Sequence, residues 1–339
     1  MTKWKGPQVD GLTQSLINRI ICCPYSAYIY LILGLEENKE LEPNLIYGDC
    51  GHKGLEVLID NLNLCDRERF PLACQAAKKH LDDNYPEAEP TFRFSLPRLL
   101  RGFRVNHHKG DWVAETEIDT QITPEQFPNL SQEVRIRGKV DGKTTNHPEY
   151  ETCIGEHKFK GYTDFLSTRD ELWQDLQLNL YMFIEGAEWV IYDIFKVPDT
   201  QKYKPSVGYS ESPEDWVKKI YEGPVGSYGG FYPINQNRHK WIWQKPLYIP
   251  LEKQRFYWET TIIPIINKIV IWYEWVTQSG FDPDNPKYHN DIFYRMPVRH
   301  FDGRKTQTYK CDYHSYLIGQ ETIDDLRPVD SFYSELEEI

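Results

Sequence analysis

Three ionisable residues in the middle of the chain, Asp141, Glu156 and Lys158, have the types and spacing needed for phosphodiester chemistry. Residues 135–141 alternate in polarity and are followed by Gly142, which predicts a strand that ends in a carboxylate at a turn. Residues 150–158 predict the returning strand. On that strand Glu156 and Lys158 share a face and His157 points away. Such a hairpin would bring both carboxylates and the ammonium together.

Two converging carboxylates supply the hard oxygen ligands that Mg²⁺ or Mn²⁺ prefers, and an ammonium beside them can orient or deprotonate an attacking water. The sequence therefore predicts a divalent-cation site suited to phosphodiester hydrolysis. An acid-x-Lys pattern is weak by itself, since Glu37-Asn38-Lys39 also matches it and a surface ion pair explains most single matches. The match at Glu156-x-Lys158 differs from the others because a Gly-x-Val-Asp-Gly segment precedes it and a predicted amphipathic helix follows it.

The segments GKVDG at 138–142, GEHKFKG at 155–161 and QLNLY at 177–181 resemble the PD-(D/E)xK nuclease superfamily. They are most similar to its RecB-like exonuclease branch, as in the AddB nuclease domain and CRISPR-associated RecB-like nucleases. The Gln-x-x-x-Tyr motif of that branch matches Gln177 and Tyr181. Its upstream helical His matches His52, within a helix that we predict from about Gly48 to Leu62.

The resemblance implies a role for each matched residue. Asp141, Glu156, His52 and the backbone carbonyl of His157 would bind the catalytic cation. Lys158 would position or activate the attacking water, and Gln177 and Tyr181 would support the site. On the same predicted helix, Glu56 would be either a partner of His52 or a surface acid.

The elements around these residues agree with an α/β fold. The resemblance implies a restriction-endonuclease-like αβββαβ core, with a mixed central sheet flanked by helices and with helical additions at both ends. Polarity patterns predict a first strand at 111–121 that pairs near 134–141, a helix at 169–184 and a buried strand at 188–197. On the first strand, Glu117 would either reach the metal cluster or lie on a solvated sheet face. Further helices are predicted at 13–33, broken at Pro24, at 70–84, and at 251–278, divided at Pro264.

We divide the chain into four parts on these patterns. Residues 1–110 form a helical segment that carries the His motif, and residues 111–197 form the nuclease core. Residues 198–320 form an insertion and a C-terminal segment that packs on the core, and residues 321–339 form an acidic tail.

A formal net charge of −12 argues against nonspecific coating of nucleic acid, because Lys and Arg supply most phosphate affinity. Two stretches concentrate basic residues, 92–109 and 295–310, and each is either a DNA path or solvated surface. We expect single- or double-stranded DNA ends as the partner and no membrane. The N-terminus lacks the apolar core of a secretory signal, which favours a cytoplasmic location, the host cytoplasm if the protein is phage-encoded.

The seven cysteines do not predict an iron–sulfur cluster. Some RecB-like relatives hold a cluster with one N-terminal and three C-terminal cysteines. Cys22 or Cys23 resembles the first, but the C-terminal region offers only Cys311, with Tyr313 and His314 nearby. A [4Fe–4S] cluster normally needs four thiolates, so we expect none.

Two other functions stay open at this point. The chain could be a nucleic-acid-binding or assembly protein with the same fold and reduced activity. It could instead be a metal-binding structural protein that uses His107, His108 and nearby acids. Metal-dependent DNA cleavage would separate the nuclease from both. The resemblance to the RecB-like branch favours an exonuclease that acts in recombination, repair or phage genome metabolism.

Overall fold

The computed structural model describes residues 4–36, 43–88, 107–160, 175–196, 242–283 and 326–329, together with residues 92, 93, 96, 97, 99, 100, 103 and 285. The helices are α1 Gln14–Cys22, α2 Pro24–Ala27, α3 Pro43–Asp60, α4 Asp66–Asn84, α5 Leu176–Glu185, α6 Leu251–Tyr257 and α7 Ile263–Val276. Two π-helical turns span Tyr28–Leu33 and Trp258–Ile262. The strands are β1 Leu35–Glu36, β2 Val113–Ile122, β3 Val134–His147, β4 Glu151–Lys160, β5 Trp189–Lys196, β6 Ile242–Tyr248 and β7 Arg327–Pro328.

Two prolines lie in the first turn of a helix, at the positions where the sequence predicts an interruption. Pro24 begins α2 directly after α1, and Pro264 lies in the first turn of α7, after the π-helical turn that separates it from α6. Proline has no backbone N–H to donate within a helix, so it is accommodated at the first turn. The interruption at Pro24 is confirmed, because Cys23 before it is extended, whereas the backbone before Pro264 stays helical through the π-helical turn.

The main sheet has five strands in the order β2-β3-β4-β5-β6. β4 and β5 are parallel and every other neighbouring pair is antiparallel, so the sheet is mixed, as predicted. A parallel pair needs a crossover connection, and α5 lies between β4 and β5 along the chain. β2 pairs with β3 as the alternating pattern predicts.

The predicted end of β3 at Asp141 is wrong. β3 continues to His147, because Gly142, Lys143 and Thr144 pair with residues 153–155 of β4. The turn follows at 148–150. Asp141 therefore lies inside a strand, at the position just before this ladder begins. Its carboxylate therefore contacts the neighbouring strand β4 from within β3, and not from the end of a strand.

Helices cover both faces of the sheet. Alternate residues of β5 point to opposite faces, so Tyr192 and Ile194 join one apolar core and Phe195 joins another. The first core also contains side chains of α1, α5 and α7, and the second contains side chains of α3 and α4. Among the described helices, none is both long enough and apolar enough to cross a bilayer.

Helix α3 approaches β4 closely because Gly51 has no side chain. A Cβ atom built at Gly51 would lie 2.2 Å from the Phe159 ring, whereas one at Gly48 would lie 3.7 Å from the nearest atom of the same residue. Atoms cannot approach to 2.2 Å without displacement, so Gly51 sets the distance between helix and strand. The next residue on α3 is His52.

We expect Gly51→Ala to lower the free energy of unfolding by about 1–3 kcal/mol, because the added methyl group overpacks the contact with Phe159. Gly48→Ala is the matched control. It gains the same helix propensity without the clash, and should be neutral or stabilising by up to about 1 kcal/mol. Urea unfolding followed by circular dichroism measures both variants. Equal effects would show that the approach of α3 to β4 does not depend on Gly51.

Candidate active site

His52, Asp141 and Glu115 bring one potential ligand atom each to a common point between α3 and the sheet. These three atoms lie within 4.8 Å of one another. Nδ1 of His52 is 3.5 Å from Oδ1 of Asp141, and it has no hydrogen-bond partner among the described residues. The other Asp141 oxygen, Oδ2, accepts a hydrogen bond from the backbone N–H of His157. This contact ties Asp141 to β4.

Glu115 joins this group although the sequence did not single it out, and Glu117 agrees with the second of its two alternatives, a charge on the solvated sheet face. Glu117 is exposed, whereas Glu115 is half-buried and pairs with Lys139 of β3. The backbone of Glu115 has φ 53°, in the left-handed region that non-glycine residues rarely adopt. It interrupts the β2–β3 ladder opposite Asp141. A simple alternating pattern does not reveal such an irregularity.

Glu156, Lys158 and Gln177 form a second group beside the first. The Lys158 ammonium pairs with the Glu156 carboxylate and donates a 2.8 Å hydrogen bond to Oε1 of Gln177. Gln177 lies in the first turn of α5, which the Asp175 side chain caps by accepting from the backbone N–H of Leu178. Helix α5 therefore holds the Lys158 ammonium from one side and Glu156 holds it from the other.

The charges of this group are coupled. Burial raises the pKa of Glu156 to about 7, against the opposing effect of Lys158, and the Asp141 charge raises it further. Burial lowers the pKa of Lys158, but the Glu156 and Asp141 carboxylates outweigh this and leave it above its ordinary value. Lys158 is therefore protonated at neutral pH, and the metal-free site holds carboxylates that repel one another.

The raised pKa of Glu156 predicts how the stability of the metal-free protein depends on pH. Between about pH 4.5 and 7 the folded protein binds a proton at Glu156 that the unfolded chain has released, so this residue's contribution to stability falls as pH rises. The variant Glu156→Gln has no ionisable group at this position, so its stability does not fall with pH for this reason. In EDTA, we expect the Tm of Glu156→Gln minus that of wild type to increase from pH 5 to pH 8. A difference that does not change with pH would contradict the prediction.

The remaining predicted residues lie nearby in different orientations. The His157 side chain points away from Glu156 and Lys158, towards Asp193 of β5. Tyr181 is buried, and its hydroxyl packs so closely on Gly138 that a Cβ there would lie 2.3 Å from it. The carboxylate of Glu56 pairs with Lys53. Of the two alternatives for Glu56, a partner of His52 or a surface acid, this contact agrees with the second.

The donor set fits a divalent cation. Asp141 and Glu156 are buried carboxylates, and neither Glu156 oxygen has an aligned hydrogen bond among the described residues. Burial lowers the pKa of His52, so its ring is neutral and Nδ1 can donate a lone pair. A cation at this place would offset the mutual repulsion of the carboxylates. Oxygen donors with one imidazole suit Mg²⁺ or Mn²⁺.

Several predicted features lie outside the described residues. They are Arg98, Arg101 and Arg104 of the basic stretch at 92–109, all of the stretch at 295–310, the start of the helix predicted at 169–184, residues 198–241, Cys311 with Tyr313 and His314, and most of the acidic tail.

Comparison with known proteins gives one family match. A family model described as the PD-(D/E)XK nuclease superfamily matches residues 11–237. No curated protein matches the chain. Among solved structures, one titled "Crystal structure of SSO0001" is similar at 11% sequence identity, covering 82% of this chain and 81% of that one, with a TM-score of 0.31. A TM-score this low supports no conclusion about fold or function.

Proposed function

Since the chain belongs to the PD-(D/E)XK nuclease superfamily, we propose that it is a DNA exonuclease of the RecB-like branch that requires Mg²⁺ or Mn²⁺. Membership implies a metal-dependent nuclease that acts on nucleic acid. The choice of DNA, of strand ends and of the branch rests on the resemblance of residues 138–142, 155–161 and 177–181. On the same basis we propose a role in recombination, repair or phage genome metabolism.

The observation that carries the proposal is the convergence of His52 and Asp141 beside a buried Glu156 that pairs with the half-buried Lys158. An ordinary surface ion pair is exposed and contributes little. Here Glu156 is 1% exposed, and the pair lies next to a second buried carboxylate. Burying like charges costs free energy unless a ligand compensates them, which favours a cation-binding role.

In this mechanism His52, Asp141, Glu156 and, by resemblance, the backbone carbonyl of His157 hold the cation. When bound, the cation polarises the phosphate and acidifies a water molecule. Lys158 remains protonated at neutral pH, so it acts as a hydrogen-bond donor that orients the attacking water and stabilises negative charge developing on the phosphate. Gln177 fixes the direction of the Lys158 ammonium.

We expect Glu115→Gln to weaken Mn²⁺ binding about tenfold to a hundredfold, because Glu115 adds a carboxylate to the cluster with His52 and Asp141. Glu117→Gln, two positions along the same strand but exposed, is the matched control and should leave the affinity unchanged. Calorimetric titration with Mn²⁺ measures both variants. Equal affinities for the two would remove Glu115 from the cation site.

The proposed function is tested by incubating the purified protein with end-labelled single- and double-stranded DNA, linear and circular, in Mg²⁺, Mn²⁺ or EDTA. We expect metal-dependent loss of linear DNA only, and the product ladder gives the polarity. Cleavage of circular DNA, which has no ends, would show that the protein is an endonuclease and not an exonuclease. Binding without cleavage in any metal would favour a nucleic-acid-binding protein that retains the fold.

A further inference from the structure

A second group of ligand-type side chains lies on the other side of β4 from the Glu156–Lys158 pair. The parallel register places His157 of β4 beside Asp193 of β5, and Nδ1 of His157 is 3.0 Å from Oδ2 of Asp193. His108, which precedes β2, brings its Nε2 to 3.5 Å from the same oxygen. Each residue thus contributes one donor atom, and the three atoms lie within 4.8 Å of one another.

The three side chains are buried and lack aligned hydrogen bonds. His108 and Asp193 have fully buried side chains and that of His157 is 1% exposed. None of their ring nitrogens or carboxylate oxygens has a hydrogen-bond partner among the described residues, although the atoms are close. Burying such groups without compensation costs free energy. A ring nitrogen that lies close to a carboxylate oxygen without pointing at it is expected where the lone pairs of the nitrogen and of the oxygen are both directed at a shared ion.

Another His–Asp contact in the same chain shows the contrast. His80 Nε2 lies 2.5 Å from Asp49 Oδ2 in a hydrogen bond, and that oxygen also accepts one from the Tyr85 hydroxyl at 2.8 Å. This group is partly exposed and its polar atoms have partners, so it requires no ion. The buried group around Asp193 differs on both counts.

We propose that His108, His157 and Asp193 bind a transition-metal ion, Zn²⁺ by preference, separate from the catalytic cation. Zinc–nitrogen and zinc–oxygen bonds of about 2.0–2.1 Å in tetrahedral geometry place neighbouring ligand atoms about 3.3 Å apart. The 3.0 and 3.5 Å contacts lie on either side of that value. Two imidazoles and one carboxylate suit zinc or iron and not Mg²⁺. Burial lowers the pKa of His108 to about 4, so its ring is neutral and able to coordinate. Burial also lowers the pKa of His157, but the Asp193 carboxylate outweighs it and raises that pKa, so zinc binding would displace a proton from His157.

Such a site would act on catalysis through β4. His157 lies between Glu156 and Lys158 in the sequence, so a metal that joins its ring to Asp193 and His108 holds that part of β4 in place. The ion would be structural, with no contact to the substrate. The inference does not depend on the proposed nuclease activity, and it can succeed if cleavage is never observed.

The test measures metal content and not activity. In an Asp141→Asn/Glu156→Gln background, which disables the catalytic cation site, we expect about one equivalent of zinc per chain to remain after gel filtration, by elemental analysis. Replacement by Co²⁺ should give the visible absorption of a tetrahedral or five-coordinate ion with nitrogen ligands. His108→Asn in that background should reduce the metal to near zero and remove the absorption. His80→Asn should leave both unchanged.

Two outcomes would overturn the proposal. In the first, the background protein retains no zinc after incubation with Zn²⁺ alone, and the buried group is then a proton-sharing imidazolium–carboxylate pair. In the second, His108→Asn retains the full equivalent. If His108→Asn does not fold, the near-isosteric Asp193→Asn replaces it. X-ray absorption of the zinc-loaded background protein then decides directly, since two imidazole ligands are required.

Discussion

Asp141→Asn is expected to lower the rate of DNA cleavage at least about a thousandfold, while the protein unfolds at nearly the wild-type temperature. A cation that polarises the phosphate contributes several kcal/mol to transition-state stabilisation, and about 4 kcal/mol corresponds to a factor of a thousand. Asparagine keeps the shape of the side chain, and its oxygen can still accept from the backbone N–H of His157. It lacks the negative charge that a cation needs. Single-turnover cleavage of end-labelled DNA in Mg²⁺ measures the effect.

Asp83→Asn is the control for this variant, because Asp83 is an exposed carboxylate on α4 that pairs with Lys79. It should cleave at the wild-type rate. Mn²⁺ titration of Asp141→Asn should show the matching loss of affinity. If Asp141→Asn cleaves DNA within tenfold of wild type, Asp141 is not a ligand of the catalytic cation, and the proposed function would have to be rebuilt without it.

Lys158→Met is expected to lower cleavage by about a hundredfold to ten-thousandfold, with DNA binding retained within a few fold. Methionine keeps the length of the side chain but cannot donate to a water, to the phosphate or to Gln177. Lys143→Met is the matched control, since Lys143, on the neighbouring strand β3, also pairs with a glutamate, Glu185 of α5. The control should retain activity. Single-turnover rates and DNA binding measured by fluorescence anisotropy give the comparison.

The pH dependence of Lys158→Met separates a direct role from an indirect one. Lys158 lowers the pKa of Glu156, so its removal shifts Glu156 towards the protonated form. If Lys158 acted only through Glu156, cleavage by the variant would recover as pH rises from 7 to 9. We expect no recovery, because the lost ammonium also orients the attacking water. Gln177→Ala, which leaves the ammonium in place, should be less impaired than Lys158→Met.

Local patterns predicted most elements correctly because local physics decides them. The division of the N-terminal helix at Pro24 follows from the missing N–H of proline, and the pairing of β2 with β3 follows from alternating polarity. The α/β class with a mixed sheet is confirmed. The four-part division of the chain and the roles of Asp141, Glu156, Lys158, Gln177 and Tyr181 stay predictions.

The errors arose where a contact distant in sequence overrides a local rule. Gly142 indicates a turn by composition, yet it pairs with Gly155 and carries β3 onward to His147. Glu117 has the expected alternation, but it is Glu115, with its unusual backbone, that lies within 4.8 Å of His52 and Asp141. Neither a cross-strand ladder nor a positive φ at a glutamate can be read from the residues beside it.

The amino-acid sequence by itself determined which side chains are available as ligands and as the ammonium donor of the proposed site, through the order His52, Asp141, Glu156-x-Lys158 and Gln177. Only the tertiary structure decided how close they come. The bare Cα of Gly51 lets α3 approach β4, and the parallel register of β4 with β5 turns His157 towards Asp193. The physical reason is that residue type sets what a side chain can bind, whereas its partners depend on packing between segments far apart in the chain.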